Sequence, residues 1–257
     1  MYVVKPSLKK SLITSLFIFT TLHTTSQIVN IETARLHSDT TGLLGDLGAA
    51  FSFTKNTATV LQADIDAHLQ YKTKKDIYLL LGSYGILKSG GTSLIDNSFF
   101  HLRYNRKLIA WLRWELFTQF QNNGIAKIKT RYLFGTGPRF KILSHKNLKL
   151  YVGSLIMYEV EKEEIDPPVI NKEIRNSSYV SFSFTPSALL EIVTTTFYQP
   201  LIKNLTDYRI LNQTSFKVKG GNHFSLSLQG YFSFDSKPVI GIPNENYNLS
   251  TRLGYDF

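Results

Sequence analysis

The 257-residue chain contains no cysteine and only two methionines and two tryptophans. Without cysteine there are neither disulfides nor thiolate metal sites, so an exported form must be held by hydrogen bonding and packing alone. Charge is scarce as well: Asp, Glu, Lys and Arg make up 19% of the residues, below the roughly 25% usual in a soluble domain. Long apolar runs are also missing, and only 43% of residues are hydrophobic, which excludes a polytopic helical membrane protein. The one run, Leu12 to Leu22, is too short and too rich in Thr and Ser to cross a bilayer as a helix. No stretch shows a clear 3.6-residue period, so helices are not expected.

What the chain does have is a period of two. In the last eleven residues, Tyr247, Leu249, Thr251, Leu253, Tyr255 and Phe257 fall on one side, and Asn248, Ser250, Arg252, Gly254 and Asp256 on the other. That is an extended strand with one apolar and one polar face. Such a strand at a terminus is an aggregation hazard unless both edges are paired and the apolar face meets something apolar. A closed barrel in a bilayer meets both demands. The same alternation recurs along the chain. Leu61, Ala63, Ile65, Ala67, Leu69 and Tyr71 oppose Gln62, Asp64, Asp66, His68 and Gln70, and Phe224, Leu226, Leu228, Phe232 and Phe234 oppose Ser225, Ser227, Gln229 and Ser233. Segments 188–199 and 207–218 read as strands with less sorted faces. The sum is about twelve strands of roughly ten or more residues, the length a tilted strand needs to cross a membrane.

The connections add a second signal. Even-numbered ones are short, such as Lys72–Lys75 and Ser144–Asn147, whereas Glu161–Glu173 and Ser236–Asn246 are long and Lys88–Ser93 and Pro200–Thr206 intermediate. Barrels with an even strand count place short turns and both termini in the periplasm. Tyr, Phe and Trp crowd the strand ends on the apolar face, as interfacial girdles require. The fold expected is therefore all-β, an antiparallel up-and-down transmembrane β-barrel over residues 43–257.

Ahead of it, Lys5, Lys9 and Lys10, the apolar run and the small polar group Thr24-Thr25-Ser26 read as a cleaved signal peptide over residues 1–26. Residues 27–42 are a polar, periplasmic lead-in. Of the 29 Lys and Arg, three lie in the signal; the remaining 26 against 19 acids leave a modest positive excess. Lipid headgroups, and not nucleic acid, are the expected partner.

The residues Phe99-Phe100-His101-Leu102-Arg103-Tyr104-Asn105-Arg106-Lys107-Leu108, then Trp114-Glu115 and Phe117-Thr118-Gln119-Phe120-Gln121, then Leu133-Phe134-Gly135-Thr136-Gly137-Pro138-Arg139-Phe140 resemble the DUF481 family. That resemblance implies an outer-membrane barrel of unassigned function, in a family that includes a protein described as salt-induced. Ile31-Glu32 to Asp46 is similar to Bacteroidetes-type versions, hence a Gram-negative source. A final Phe257 also resembles the C-terminal signal read by the barrel-assembly machinery. The resemblance confers no catalytic residues.

If the apolar face meets lipid, the other face lines a lumen. The first two strands then bring Asp46, Asp64, Asp66 and His68 inward; the middle strands bring His101, Arg103, Arg113, Glu115, Lys129, Arg131 and Arg139, and the last brings Arg252. Acidic strands facing basic ones across a barrel suggest an internal ion-pair network. Two functions follow. One is a narrow channel for small anionic solutes past Arg113 and Arg139; the other is a non-conducting structural or interaction barrel closed by the Asp–Arg network. Gly135-x-Gly137-Pro138 lacks the strand-to-helix context of a phosphate loop and reads as crowding relief within a strand, beneath a neighbouring Arg. Asp64-x-Asp66-x-His68 is too extended to bring all three groups to one ion, and no serine is paired with His68 or His101 by a local signature. Neither a cofactor, a metal nor an enzymatic activity is expected, and the barrel is expected to be monomeric.

Overall fold

Twelve antiparallel strands in chain order close on themselves. They are β1 (Gly42–Lys55), β2 (Thr59–Lys72), β3 (Asp76–Ser89), β4 (Thr92–Lys107), β5 (Leu112–Asn123), β6 (Ile128–Ser144), β7 (Leu148–Glu163), β8 (Ile170–Phe184), β9 (Leu190–Leu201), β10 (Asn204–Gly220), β11 (Phe224–Asp235) and β12 (Glu245–Asp256). This computed structural model describes residues 41–55, 59–89, 92–221 and 223–256. The expected signal peptide, residues 27–40 of the lead-in and Phe257 lie outside them.

Strands of 12 to 17 residues are two to three times the ordinary length. Their alternation sorts cleanly. Phe51, Ile65, Leu226 and Leu253 are 72%, 59%, 57% and 60% exposed on the outside, the reverse of a soluble barrel and the expected state of side chains that meet lipid. Aromatic side chains collect in two outer bands. At the end where β1 starts and β12 stops, here the proximal end, Tyr78 lies 5.1 Å from Tyr104, Trp111 stacks at 6.1 Å on Phe140, and Phe224 meets Tyr255 at 5.4 Å. At the distal end, Phe120 meets Tyr132 at 5.2 Å and Tyr208 meets Phe234 at 5.6 Å. These are the girdles of a transmembrane barrel.

The loops are shorter than the sequence suggested. β7 continues to Glu163 and β8 begins at Ile170, so the stretch read as loop 161–173 shrinks to residues 164–169. Likewise β3 and β4 reach Ser89 and Thr92, and β9 and β10 reach Leu201 and Asn204, leaving two residues in each connection. Only 164–169 and 236–244 keep the length contrast. The longer, 236–244, folds over the distal mouth, held by the Lys127 ammonium, which donates to the Ile240 carbonyl at 2.9 Å.

Neighbouring strands pair along most of their lengths, with one exception. At the β1–β12 seam the described register is four pairs, Asp46↔Asp256 to Ala49↔Leu253, all towards the proximal end. By contrast β1–β2 is continuous from Gly42↔Lys72 to Lys55↔Thr59.

Candidate functional site in the barrel lumen

The lumen is filled, and much of what fills it is apolar. Phe117, Leu155, Met157, Tyr179, Phe197 and Leu211 form a buried cluster inside the wall, and Leu79, Leu81 and Phe99 form a second. Inward glycines make room for the rings. A Cβ on Gly135 would lie 2.5 Å from Phe117 Cζ, and one on Gly153 would overlap the Tyr179 ring. Gly137 sits against backbone: a Cβ there would lie 2.7 Å from Leu155 Cα. Gly135 and Gly137 therefore relieve crowding as expected, but from an aromatic ring and a neighbouring strand and not from an arginine.

Three ion-pair networks are set among these side chains. The first joins β1, β2 and β12. Arg252 Nε donates to both Asp66 carboxylate oxygens, at 3.1 and 3.0 Å, and its Nη2 donates to Asp46. His68 Nδ1 lies 3.2 Å from Asp46. Asp64 stands one step along, accepting from the Gln62 amide at 3.0 Å. Ligand atoms of Asp46, Asp66 and His68 come within 4.8 Å of one another, a grouping across two strands instead of the along-strand triplet in the sequence. The Arg252 guanidinium already supplies the positive charge that a cation would bring there.

The second network surrounds Glu115, which is 0% exposed. Arg103 Nη1 donates to its Oε2 at 3.1 Å, the Tyr179 hydroxyl donates to the same oxygen at 2.7 Å, and Arg139 Nη1 lies 3.6 Å from Oε1. Arg139 also donates to Tyr179 at 2.9 Å and lies 3.9 Å above the Tyr151 ring centre. Its guanidinium is thus engaged by a carboxylate, a hydroxyl and a ring, and at 2% exposed it does not line an open constriction. His101 is sandwiched between Phe99 and Phe117, with ring centres at 6.1 and 5.3 Å. It accepts from Arg103 at 3.3 Å and lies 3.0 Å from Gln119 Oε1. Arg113 is half-buried and sits opposite Arg139 in register.

The third network lies at the distal end, and of it the sequence reading had only Arg131. Glu159, 1% exposed, takes Arg131 at 3.0 Å, Arg209 at 2.7 Å and Arg175 at 3.5 Å. Arg131 also pairs with Glu161, Arg209 with Asp235 at 2.8 Å, and Arg175 with Glu173 at 2.6 Å and Asp207 at 2.9 Å. Glu161, at the start of a stretch expected to be a long connection, is buried here. The signal that could have found this set is the continued alternation of Glu159, Glu161 and Glu163 and of Asp207 and Arg209. Lys129 is the one candidate that leaves the lumen. A register shift between Ile128 and Thr130 turns Ile128 inward and exposes Lys129.

The acidic and basic strands therefore do not pair across the barrel. Arg103, Arg131, Arg139, Arg175, Arg209 and Arg252 each find a carboxylate on their own or a nearby strand, in three groups. A cavity of about 230 Å³ opens above the distal one, and a chamber of about 30 Å³ lies between it and the second. On β2 and β12 the inward residues Gln62, Asp64, Asp66, Asn248 and Ser250 stay half-exposed, so this side of the lumen is a wet recess with Arg252 at its base.

The family model described as "Protein of unknown function, DUF481" matches residues 45–257, all but the first three residues of the barrel. The chain belongs to the DUF481 family. Among solved structures this DUF481 barrel is similar to an outer-membrane channel of Pseudomonas putida F1, at 9% identity and a TM-score of 0.52, over 86% of this chain and 97% of that one. A NanC porin is similar at 11% identity and a TM-score of 0.49, over 83% of this chain and 98% of its own. At such identities the first of these likenesses is one of fold, a transmembrane barrel. No curated protein matches the chain.

Proposed function

We propose that the protein is an outer-membrane barrel whose lumen is closed in its resting state, acting as a structural or binding element of the envelope and not as an open pore. One observation carries this reading. Glu115, Arg139, Glu159 and Arg175, at two levels of the lumen, are 0 to 2% exposed, so water does not reach these groups, and Arg252 on Asp46 and Asp66 closes the base of the recess beside them. Orientation follows the rule for even-stranded barrels, with the proximal end in the periplasm and the 236–244 loop at the cell surface. The barrel acts as a monomer in lipid, placed there by the assembly machinery through its C-terminal strand.

The test is single-channel conductance of the refolded protein in a planar bilayer. Protein shown to be folded by heat-modifiable gel mobility is expected to give no stable steps. Stable ohmic steps from the unaltered chain would overturn the reading. A second reading, a narrow solute channel, is supported by the wet recess along β2 and β12. It requires the Arg252 clamp to open, and Arg252→Gln would then produce steps that the parent lacks. The anion preference expected of Arg139 has less support, because that guanidinium is buried and engaged by Glu115, Tyr151 and Tyr179.

A further inference from the structure

The distal cavity is a built space with two unlike walls. One wall is apolar: Pro238, Val239, Ile242 and Pro243 of the 236–244 loop, with Tyr231 below. The other is the distal ion-pair network with Glu163 at its rim.

The charges of that network are not presented evenly. Its guanidiniums are turned into the lumen, the side chains of Arg175, Arg131 and Arg209 being 2%, 7% and 11% exposed. The carboxylates of Glu173 and Asp235, at 22% and 24%, are what solvent meets. Glu163 accepts from the Asn171 amide at 2.8 Å and, among the described residues, forms no ion pair. Counted whole, Glu159, Glu161, Glu163, Glu173, Asp207 and Asp235 stand against three guanidiniums and the exposed Lys237. A molecule entering from the distal side therefore meets carboxylate oxygens on one flank and a hydrocarbon surface on the other. An anion would meet repulsion at the surface of the network and could reach an arginine only by breaking a buried pair. A bare metal ion would satisfy the carboxylates but make no use of the apolar wall. An ammonium group on a small apolar body satisfies both.

We propose that the distal vestibule binds a small organic cation, an ammonium carried on an apolar or aromatic body. At about 230 Å³ the space lies below the roughly 300–1,000 Å³ of ordinary ligand pockets, so the occupant is amine-sized, not drug-sized. The loop supplies the apolar wall and is itself held by Lys127 on Ile240, so the site is complete only with the loop down. The inference rests on the proposed orientation for its exposure to the cell exterior, but titration in nanodiscs reaches both ends of the barrel. Conductance reads the lumen and titration the vestibule, so each can fail without the other.

The experiment is calorimetric titration of the refolded full barrel in nanodiscs, with empty nanodiscs subtracted, using 2-phenylethylamine, 3-phenylpropionate and calcium chloride separately. The amine is expected to saturate one site, with the acid of equal size showing no saturable heat. Glu163→Gln with Glu173→Gln is expected to weaken the amine at least tenfold. Val239→Ser, which changes no charge, should weaken it several-fold, and Lys127→Ala should weaken it by freeing the loop. Each variant is first shown to be folded by gel mobility. Equal binding of acid and amine, no saturable binding of the amine to folded protein, or binding of calcium in its place would each overturn the proposal.

Discussion

Arg252 and Gly48 share one space. The arginine leaves β12, crosses β1 at Gly48 and reaches Asp66 on β2, and a Cβ on Gly48 would stand 2.6 Å from both its Nε and Nη2. Only a glycine on the intervening strand lets the guanidinium lie flat enough to reach both carboxylates. Gly48→Ala is therefore expected to destabilise the barrel by about 1–3 kcal/mol through overpacking. Gly82→Ala, where a Cβ meets nothing within 4 Å, is the control. Urea unfolding in lipid vesicles reads both, and equal losses would show that Gly48 makes no special room.

Glu115 offers a sharper case. Its carboxylate pairs with both Arg103 and Arg139. Removing it leaves buried guanidiniums without their counter-charge, which costs about 3–5 kcal/mol. Glu115→Ala should lose that much in the same unfolding assay, and Glu115→Gln, which keeps an acceptor for Tyr179, distinctly less. A loss below about 1 kcal/mol, the range of exposed pairs, would mean that water reaches this level of the lumen.

The pairing of Gly153 with Tyr179 can be tested by a double-mutant cycle. Gly153→Ala should be costly while the Tyr179 ring is present and far milder in a Tyr179→Ala background. The coupling expected for groups in contact is about 0.5–3 kcal/mol. Additive effects would mean that the ring does not rest on the glycine.

On the outer surface, Ile65 lies midway along β2 and is 59% exposed. Ile65→Arg should cost about 2–4 kcal/mol if this position faces the bilayer midplane. Lys74→Glu in the β2–β3 turn should cost almost nothing. A neutral Ile65→Arg would argue against a lipid-facing wall.

Strand number, strand order and the outward face were legible because they depend on a period of two that each segment carries on its own. The Asp46, Asp66 and Arg252 grouping was half legible: the inward direction of each could be read, but their meeting depends on closure of β12 onto β1. What alternation could not give was the identity of the inner face where it is apolar. Phe117, Leu155 and Met157 look like lipid-facing residues out of phase, and only the glycines beside them hint at packed rings. Glu161 and Arg175 were missed because charge at a strand end reads as loop, whereas here the strands run on. Lys129 fails for the opposite reason, since one register shift reverses the face.

The short β1–β12 seam has a consequence for the order in which the barrel is made. Of the twelve joints, eleven link strands consecutive in the chain, and this one alone must bring the two ends of the barrel together. The entropy of closing a loop grows with its length, and contacts so distant in sequence form late. Until then the chain is a curved sheet with two open edges. Arg252, reaching over β1 to Asp66, is the catch that holds a joint whose described ladder has only four pairs. The amides of β1 and β12 are therefore expected to exchange first under mild urea, ahead of those in β5 to β8. A barrel zipped shut in this way comes apart along the line where it was last joined.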